Sequence, residues 1–305
     1  MQHAIGIDFG GTSIKSGLVL GGEIVQRGTP IDTQKCSGPA AIIDALVETV
    51  AELRGSRPDV VGVGIGLPGV TDSLNGVVHE LTNVPGWIDV PLRDLLVART
   101  GLRAIIENDA NAMAYGEWKY GAARDGRHII CITLGTGVGG ALILDGRLYR
   151  GAQLGAGEIG HLSIDYRGRP GPFGNNGAIE EYVGNNEISA RAAALYLAAG
   201  RPDVRCTPAE LAQAAGEGDP IALSLWEAVG TEIGAALASV IWVLNPDTIV
   251  IGGGVARAGE LLFEPIRRTI CARTHAVFHE QLRILPATLG NDAGIIGNAA
   301  LVLES

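Results

Sequence analysis

The residues best suited to chemistry stand together in the sequence Glu107-Asn108-Asp109-Ala110-Asn111. An apolar run at residues 102–106 precedes them with the pattern of a buried strand, and a helix-like run at residues 112–117 follows. Ligands of open α/β folds bind where strands end. A carboxylate placed there can accept a proton from a substrate hydroxyl, and a carboxamide beside it can hold a second hydroxyl. The alternative is structural, because Asp and Asn are preferred caps of helix N-termini.

A Gly-rich hairpin opens the chain. A buried strand at residues 4–7 runs into Asp8-Phe9-Gly10-Gly11-Thr12-Ser13, and an apolar strand that contains Lys15 follows. Two glycines followed by hydroxyl residues allow the backbone to approach a phosphate and to donate hydrogen bonds to it. Asp8, at the end of the strand, could hold Mg²⁺ through water. An ordinary tight hairpin would explain this motif equally well.

The same pattern returns later in the chain. When Gly11-Thr12 is placed on Gly135-Thr136, an offset of 124 residues, Gly21-Gly22 falls on Asp145-Gly146 without a gap. An internal repeat of a whole strand-turn-strand unit predicts two related domains. Two glycine-rich hairpins on facing domains would hold one triphosphate from both sides, which is harder to explain structurally than either turn alone.

The order of strands and helices predicts an α/β fold with strands buried on both faces. A late strand at residues 248–251 runs into Gly252-Gly253-Gly254, where bare backbone could receive a flat ligand such as adenine. We expect a small N-terminal domain at residues 1–118, completed by a closing helix at residues 291–305. A larger domain would occupy residues 119–290.

The composition argues against several classes of function. The net charge of the 305 residues is −10, which argues against a nonspecific nucleic-acid surface. Four scattered cysteines without a Cys-x-x-Cys pair are typical of reduced thiols in a cytoplasmic protein. The most apolar helix candidate, residues 221–244, carries Glu227 and Glu232, so we interpret it as a buried helix and not as a membrane span. No signal peptide opens the sequence.

Taken in this order, the motifs resemble the ROK family of sugar kinases, open reading frames and repressors. The resemblance implies a two-domain actin-like ATPase fold of the hexokinase, ribonuclease H-like type, with a cleft between the domains. It implies ATP and Mg²⁺ as cofactors, with the nucleotide bound by Asp8, Gly10, Gly11, Thr12, Lys15, Gly135, Thr136, Gly137, Gly253 and Gly254. It also implies that Asp109 is the catalytic base and that the sugar is lined by Gly69, Asn83, Asn108, Asp109, Glu158, His161 and Glu180.

The resemblance implies a cytoplasmic homodimer that phosphorylates a hexose, glucose at its 6-hydroxyl being the first candidate, without nucleic-acid or membrane partners. N-acetylmannosamine, fructose and allose stay open as acceptors, and so does a non-catalytic sugar-binding regulator. A repressor of this family would need an N-terminal helix-turn-helix, for which a first strand beginning at Ala4 leaves no room.

One segment departs from the family pattern. Family members carry a His and a Cys-x-Cys-Gly-x-x-Gly-Cys-x-Glu segment that together bind a structural zinc. The corresponding segment here, residues 171–180, keeps both glycines but has Gly171, Phe173 and Ala178 in place of the thiolates. Because His161 alone cannot hold zinc, we predict that no structural zinc is bound and that His161 remains as a sugar ligand. We expect a loosened loop unless Phe173 packs into the vacated volume.

Overall fold

The computed structural model describes residues 2–81, 84 and 86–304, which form two compact units. Unit 1 comprises Met1–Asp125, Arg150–Ala156 and Thr288–Ser305, and unit 2 comprises Gly126–Tyr149 and Gly157–Ala287.

The elements are numbered along the chain. The strands are β1 His3–Phe9, β2 Ser13–Leu20, β3 Glu23–Arg27, β4 Ile31–Asp32, β5 Val60–Leu67, β6 Val70–Asp72, β7 Val77–Glu80, β8 Arg103–Asn108, β9 Ile129–Leu134, β10 Val138–Leu144, β11 Arg147–Tyr149, β12 Thr248–Gly252 and β13 Arg283–Pro286. The helices are α1 Pro39–Arg54, α2 Leu92–Thr100, α3 Asp109–Lys119, α4 Glu180–Val183, α5 Asn185–Ala198, α6 Pro208–Gly216, α7 Pro220–Leu244, α8 Glu260–Arg273, α9 Ala276–His279 and α10 Ala293–Leu303.

The sheet of unit 1 has the strand order β3-β2-β1-β5-β8, and β4 extends it beside β2. Neighbouring residues of β1 pack into different hydrophobic clusters, one on each face of the sheet. Ile5 packs with α1 and α2, whereas Ala4 packs with α10, as expected for a strand that is covered on both faces. Helix α10 lies close against this sheet, because a Cβ atom at Gly6 would stand only 1.8 Å from the carbonyl oxygen of Ile295. The C-terminal helix is therefore a part of the N-terminal fold.

The sheet of unit 2 has the order β11-β10-β9-β12-β13. In both sheets an antiparallel meander is followed by two parallel strands, so the structure confirms the repeat that the two hairpins predict. The long helix α7 is apolar and long enough to cross a membrane by composition alone, but twelve of its residues are buried inside unit 2. It is therefore a core helix, as its two glutamates indicate.

Two local features differ from expectation. The Pro-Gly pair in Leu67-Pro68-Gly69-Val70-Thr71-Asp72 predicts a loop after β5, yet Val70–Asp72 forms β6 and pairs with β7 in a small separate sheet. The expected division at residues 118 and 290 also differs from the observed units. Buried Glu117 accepts hydrogen bonds from the N–H groups of Ala122 and Leu289, at 2.9 and 2.8 Å, and these bonds tie both flanking segments to unit 1.

Candidate functional site

The turn between β8 and α3 holds the proposed base. Asn108 ends β8 with extended backbone (φ −65°, ψ 145°), and its Oδ1 accepts the N–H of Asn111 at 3.1 Å as the cap of α3. Asp109 is the first helical residue and is half-buried, with its Oδ1 2.8 Å from the N–H of Ala110. The capping alternative therefore applies to Asn108. Since its carbonyl oxygen is used in the cap, Asn108 would meet a ligand with its amide N–H groups.

Asp8 lies at the same end of the sheet. In the strand register, Asp8 of β1 is opposite Gly66 of β5, and Gly66 is opposite Glu107 of β8. Two strand spacings separate Asp8 from Glu107, which is about 10 Å. Burial raises the pKa of the Asp8 carboxyl above its ordinary value, and Lys15, its partner on β2, opposes that effect. A carboxylate buried in this way gains from any cation bound beside it.

The first Gly-rich turn is held from within unit 1. The N–H of Gly10 donates to the carbonyl oxygen of Ser13 at 3.1 Å, which closes the turn and uses that donor. Thr33 donates two hydrogen bonds to this turn. Its hydroxyl donates to the carbonyl of Gly11 at 2.9 Å, and its backbone N–H donates to the carbonyl of Thr12 at 3.2 Å. Both carbonyls are therefore already hydrogen-bonded. The groups that suit a phosphate are the exposed Thr12 hydroxyl and the remaining N–H groups of the turn.

The second Gly-rich turn has the same closure, because the N–H of Gly135 donates to the carbonyl of Gly137 at 2.9 Å. Thr136 is exposed at its tip. Glu180 lies against this turn, where its Oε2 accepts the N–H of Val138 at 2.7 Å. A Cβ atom at Gly137 would stand 2.3 Å from the same oxygen, so glycine leaves room for the carboxylate. The structure thus places the predicted sugar ligand Glu180 beside the predicted phosphate turn.

The late glycine turn adjoins this one. Gly252 of β12 is paired with Thr133 of β9, and Gly253 follows with φ +89°. A Cβ atom at Gly253 would lie 2.2 Å from the carbonyl oxygen of Leu134, whereas one at Gly254 would meet nothing within 4 Å. The segment predicted for adenosine therefore packs by its backbone on the strand that leads into the predicted phosphate turn.

Glu158 precedes a single 3₁₀ turn, Ile159–His161, and His161 is its last residue. Glu158 is exposed, while His161 is half-buried and its Nδ1 atom is buried without a hydrogen-bond partner in the part of the chain that is described. A buried ring nitrogen without a partner costs free energy unless a ligand or water meets it. His161 is therefore a candidate for ligand binding.

Two predicted sugar ligands remain, Gly69 and Asn83, and Trp87 near them in the sequence is an aromatic residue that could either pack in the core or stack on a sugar. Gly69 is exposed between β5 and β6 with φ +97°. Asn83 lies outside the described residues. Trp87 is 1% exposed, and its ring packs edge-to-face on Phe9 with the centroids 5.9 Å apart, so it is a packing residue and not a stacking platform for a sugar.

Sequence reasoning assigned no role to two residues that the structure places beside the turn carrying Asp109. Glu107 is 2% exposed at the end of β8 and pairs with Arg150. A charged residue at the end of an apolar strand is the signal that could have led to Glu107, since such a group must find a partner when buried. No signal in the sequence leads to Arg150, which lies 43 residues further along the chain.

Comparison with known proteins decides the family. A model of the ROK family matches residues 4–305. The glucokinase of Thermotoga maritima is 35% identical over 310 residues, which cover 98% of this chain and 97% of that protein. The chain belongs to the ROK family. A ROK family glucokinase from Streptomyces griseus, solved in complex with glucose and AMPPNP, is 33% identical with a TM-score of 0.80 over 99% of this chain and 100% of that one.

A protein of Listeria monocytogenes, named as a candidate N-acetylmannosamine kinase, is 27% identical with a TM-score of 0.81, over 99% of both chains. This ROK protein has the two-domain actin-like ATPase fold that its resemblance implies. It is an ATP-dependent sugar kinase.

The zinc site known from the family does not fit the residues of this ROK chain. The ring of Phe173 meets the ring of His161 edge-to-face at a centroid distance of 5.2 Å, in the region where a metal would need thiolates. Phe173 is nevertheless 80% exposed, so it fills no buried volume, contrary to the alternative considered for it. Among the described residues, no group of three or more His, Cys, Asp or Glu side chains is arranged to hold a metal ion.

Hydrogen bonds hold the loop that lacks the thiolates. The two ends of the loop pair as strands do, with the N–H of Ile179 on the carbonyl of Leu162 and the N–H of Ile164 on the carbonyl of Gly177, both at 2.9 Å. In the middle, Arg169 donates its backbone N–H to the Tyr182 hydroxyl at 3.0 Å. These bonds connect the loop to α4, the helix that begins with Glu180, without a metal.

The donor set for Mg²⁺ is small but suitable. Mg²⁺ in phosphate-transfer sites is held by one or two carboxylates together with substrate phosphates and waters. Asp8 supplies one half-buried carboxylate at the strand end, which is the kind of group that accepts such an ion.

Proposed function

We propose that this ROK kinase transfers the γ-phosphoryl group of ATP to the 6-hydroxyl of glucose, with Asp109 as the general base. The observation that carries the proposal is the turn at the end of β8, where Asp109 begins α3 and Asn108 caps the helix through its Oδ1 atom, so that its amide N–H groups are the ones we assign to the sugar. Support for glucose comes from the Streptomyces griseus relative, whose structure contains glucose and AMPPNP, an analogue of ATP.

Phosphoryl transfer depends mainly on positioning and on charge stabilisation. Asp109 would accept the proton of the attacking hydroxyl from a distance of about 3 Å. Asn108 would donate a hydrogen bond to a neighbouring hydroxyl, and we assign further hydroxyls to the backbone of Gly69 and to Asn83. Glu158, His161 and Glu180 would provide the remaining sugar contacts. A sugar without one of these hydroxyls would leave a buried polar group unpaired, which is the source of discrimination.

For the nucleotide, we assign the phosphates to the exposed threonines of the two closed turns, Thr12 and Thr136, and to nearby backbone N–H groups. Lys15, beside Asp8, adds a positive charge. Mg²⁺ held near Asp8 would neutralise charge that develops on the phosphoryl oxygens. The backbone of Gly253 and Gly254 is assigned to the adenosine.

Two other properties belong to the proposal. The enzyme would act in the cytoplasm, and it would be a homodimer. Analytical ultracentrifugation tests the oligomeric state directly. N-acetylmannosamine is the second candidate acceptor, on the strength of the Listeria monocytogenes relative.

The test is an ADP-release assay with glucose, N-acetylmannosamine, fructose and allose, with the phosphorylated carbon located by NMR. We expect turnover with glucose and a 6-phosphate product. Asp109→Asn should lower kcat about 10²- to 10⁴-fold, because the base is lost, while calorimetry still detects glucose binding.

The matched control is Asp94→Asn, which changes an exposed carboxylate of α2 in the same unit and should leave kcat unaltered. Near wild-type kcat in Asp109→Asn would refute the base. Absence of ADP release with every sugar would refute the kinase and favour a sugar-binding regulator. Turnover with N-acetylmannosamine alone would replace glucose by the second candidate.

A further inference from the structure

The carboxylate of Glu107 is surrounded by hydrogen-bond donors, although its side chain is only 2% exposed. Its Oε1 accepts the N–H of Asn108 and the side-chain Nδ2 of Asn111, both at 3.0 Å. The Oδ1 of Asn111 is buried and has no hydrogen-bond partner among the residues that are described, so Glu107 is what orients this amide. One oxygen of Glu107 thus holds the chain on both sides of Asp109.

The other carboxylate oxygen of Glu107 contacts Arg150. Its Oε2 lies 2.7 Å from Nε and 2.6 Å from Nη2 of Arg150, and the side chain of Arg150 is 29% exposed whereas that of Glu107 is 2% exposed. Arg150 begins the short segment Arg150–Ala156, which belongs to unit 1 and is closed by a 3.0 Å bond from the N–H of Ala156 to the carbonyl of Arg150. Because two nitrogens of one guanidinium group meet the same carboxylate oxygen, the contact limits the orientation of Glu107 and compensates its charge.

A buried carboxylate that loses its cation must find other donors or admit water. The nearest donors are the N–H of Asn108 and the amide of Asn111, which already share Oε1. Removal of Arg150 would therefore disturb the turn that carries Asp109, since Asn108 and Asn111 stand on either side of Asp109 in the sequence.

We propose that Glu107 and Arg150 are positioning residues: the ion pair fixes the β8–α3 turn and so sets the orientation of Asp109. The inference rests on the proposed role of Asp109 as the base. A merely structural pair would lower the stability of the protein but would leave the turnover of each folded molecule unchanged, and this difference makes the two roles separable.

The experiment compares Arg150→Met and Arg150→Lys with the wild type at a temperature where circular dichroism shows every protein folded. Misplacement of a reacting group by about 1 Å costs about 100-fold in rate, so kcat should fall about 10- to 100-fold in Arg150→Met. KM for ATP should stay near the wild-type value, because no nucleotide group is assigned to this pair. Arg150→Lys should recover part of kcat, since an ammonium restores the charge but only one of the two contacts.

The matched control is Arg201→Met, which removes an arginine 2.6 Å from the carboxylate of Asp219 in unit 2, and neither of these residues is a proposed site residue. It should lower the melting temperature and leave kcat at the wild-type value. If Arg150→Met does not fold, Glu107→Gln takes its place: it keeps the volume and one acceptor oxygen, and it too should lower kcat.

Hydrogen exchange of the peptide covering residues 107–112, measured without substrates, gives a second readout that does not depend on activity. Exchange should be faster in Arg150→Met and unchanged in Arg201→Met. A folded Arg150→Met protein with wild-type kcat and wild-type exchange would overturn the inference. Absence of sugar-dependent turnover in the wild type would refute the proposed function alone, because the exchange measurement would still report whether the pair fixes the turn.

Discussion

Gly253 and Gly254 are neighbours in the sequence, yet the structure predicts opposite effects when each is replaced by alanine. Gly253 has φ +89°, and a Cβ atom there would lie 2.2 Å from the carbonyl oxygen of Leu134, which is fixed backbone at the end of β9. Gly254 has right-handed helical backbone (φ −64°, ψ −39°), and its Cβ atom would meet nothing within 4 Å. Chemistry and location are therefore matched, and only geometry differs.

The magnitudes follow from three contributions to the free energy of unfolding. An alanine in left-handed backbone costs about 1–2 kcal/mol, and forcing a methyl group into a filled space costs about 1–3 kcal/mol. The smaller entropy of the unfolded chain returns about 0.4–1 kcal/mol. Gly253→Ala should thus destabilise the protein by about 3 kcal/mol. Gly254→Ala has only the entropy contribution and should stabilise the protein by about 0.4–1 kcal/mol.

The assay is unfolding by guanidinium chloride without nucleotide, so that loss of ligand binding does not contribute to the measured stability. Tryptophan fluorescence reports the transition, because Trp226 is fully buried in unit 2. We expect the denaturation midpoint to fall for Gly253→Ala and to rise slightly for Gly254→Ala. Equal midpoints for the two variants would show that the turn does not have this backbone or does not pack on Leu134.

Two further predictions concern the metal-free loop and the response to acid. Hydrogen bonds such as the one from Arg169 to Tyr182 hold the loop, so EDTA should leave the melting temperature of the ATP-free protein unchanged. Elemental analysis should find no stoichiometric zinc, and one zinc ion per chain would contradict this prediction. Burial raises the pKa of Asp219, but hydrogen bonds from Arg201 and from the backbone at the start of α7 outweigh it and hold the pKa below 3.8. Its stabilising effect is therefore present above that value and is lost as the pH falls through the lowered pKa. The wild type should lose more stability between pH 6 and pH 3 than Asp219→Asn, which keeps the helix cap without the charge, and equal losses would exclude this role.

The local elements of this protein could be predicted from its sequence. The glycine hairpins, their repeat and the strand that leads to Asn108 and Asp109 are visible in apolar patterning and turn residues, which act between neighbours in the chain. The two glutamates in the apolar run of α7 predict a helix of the core, and twelve of its 25 residues are buried.

Contacts between distant segments could not be predicted in this way. Glu107 and Arg150, Glu180 and Gly137, and Gly253 and Leu134 are each brought together by the packing of separate strands and loops. The segment Arg150–Ala156 belongs to unit 1 although its neighbours in sequence belong to unit 2. Sequence patterning determines which face of an element is buried, since that depends on residues a few positions apart. Which charged group meets which partner depends on where whole elements pack, and this only the tertiary structure decided.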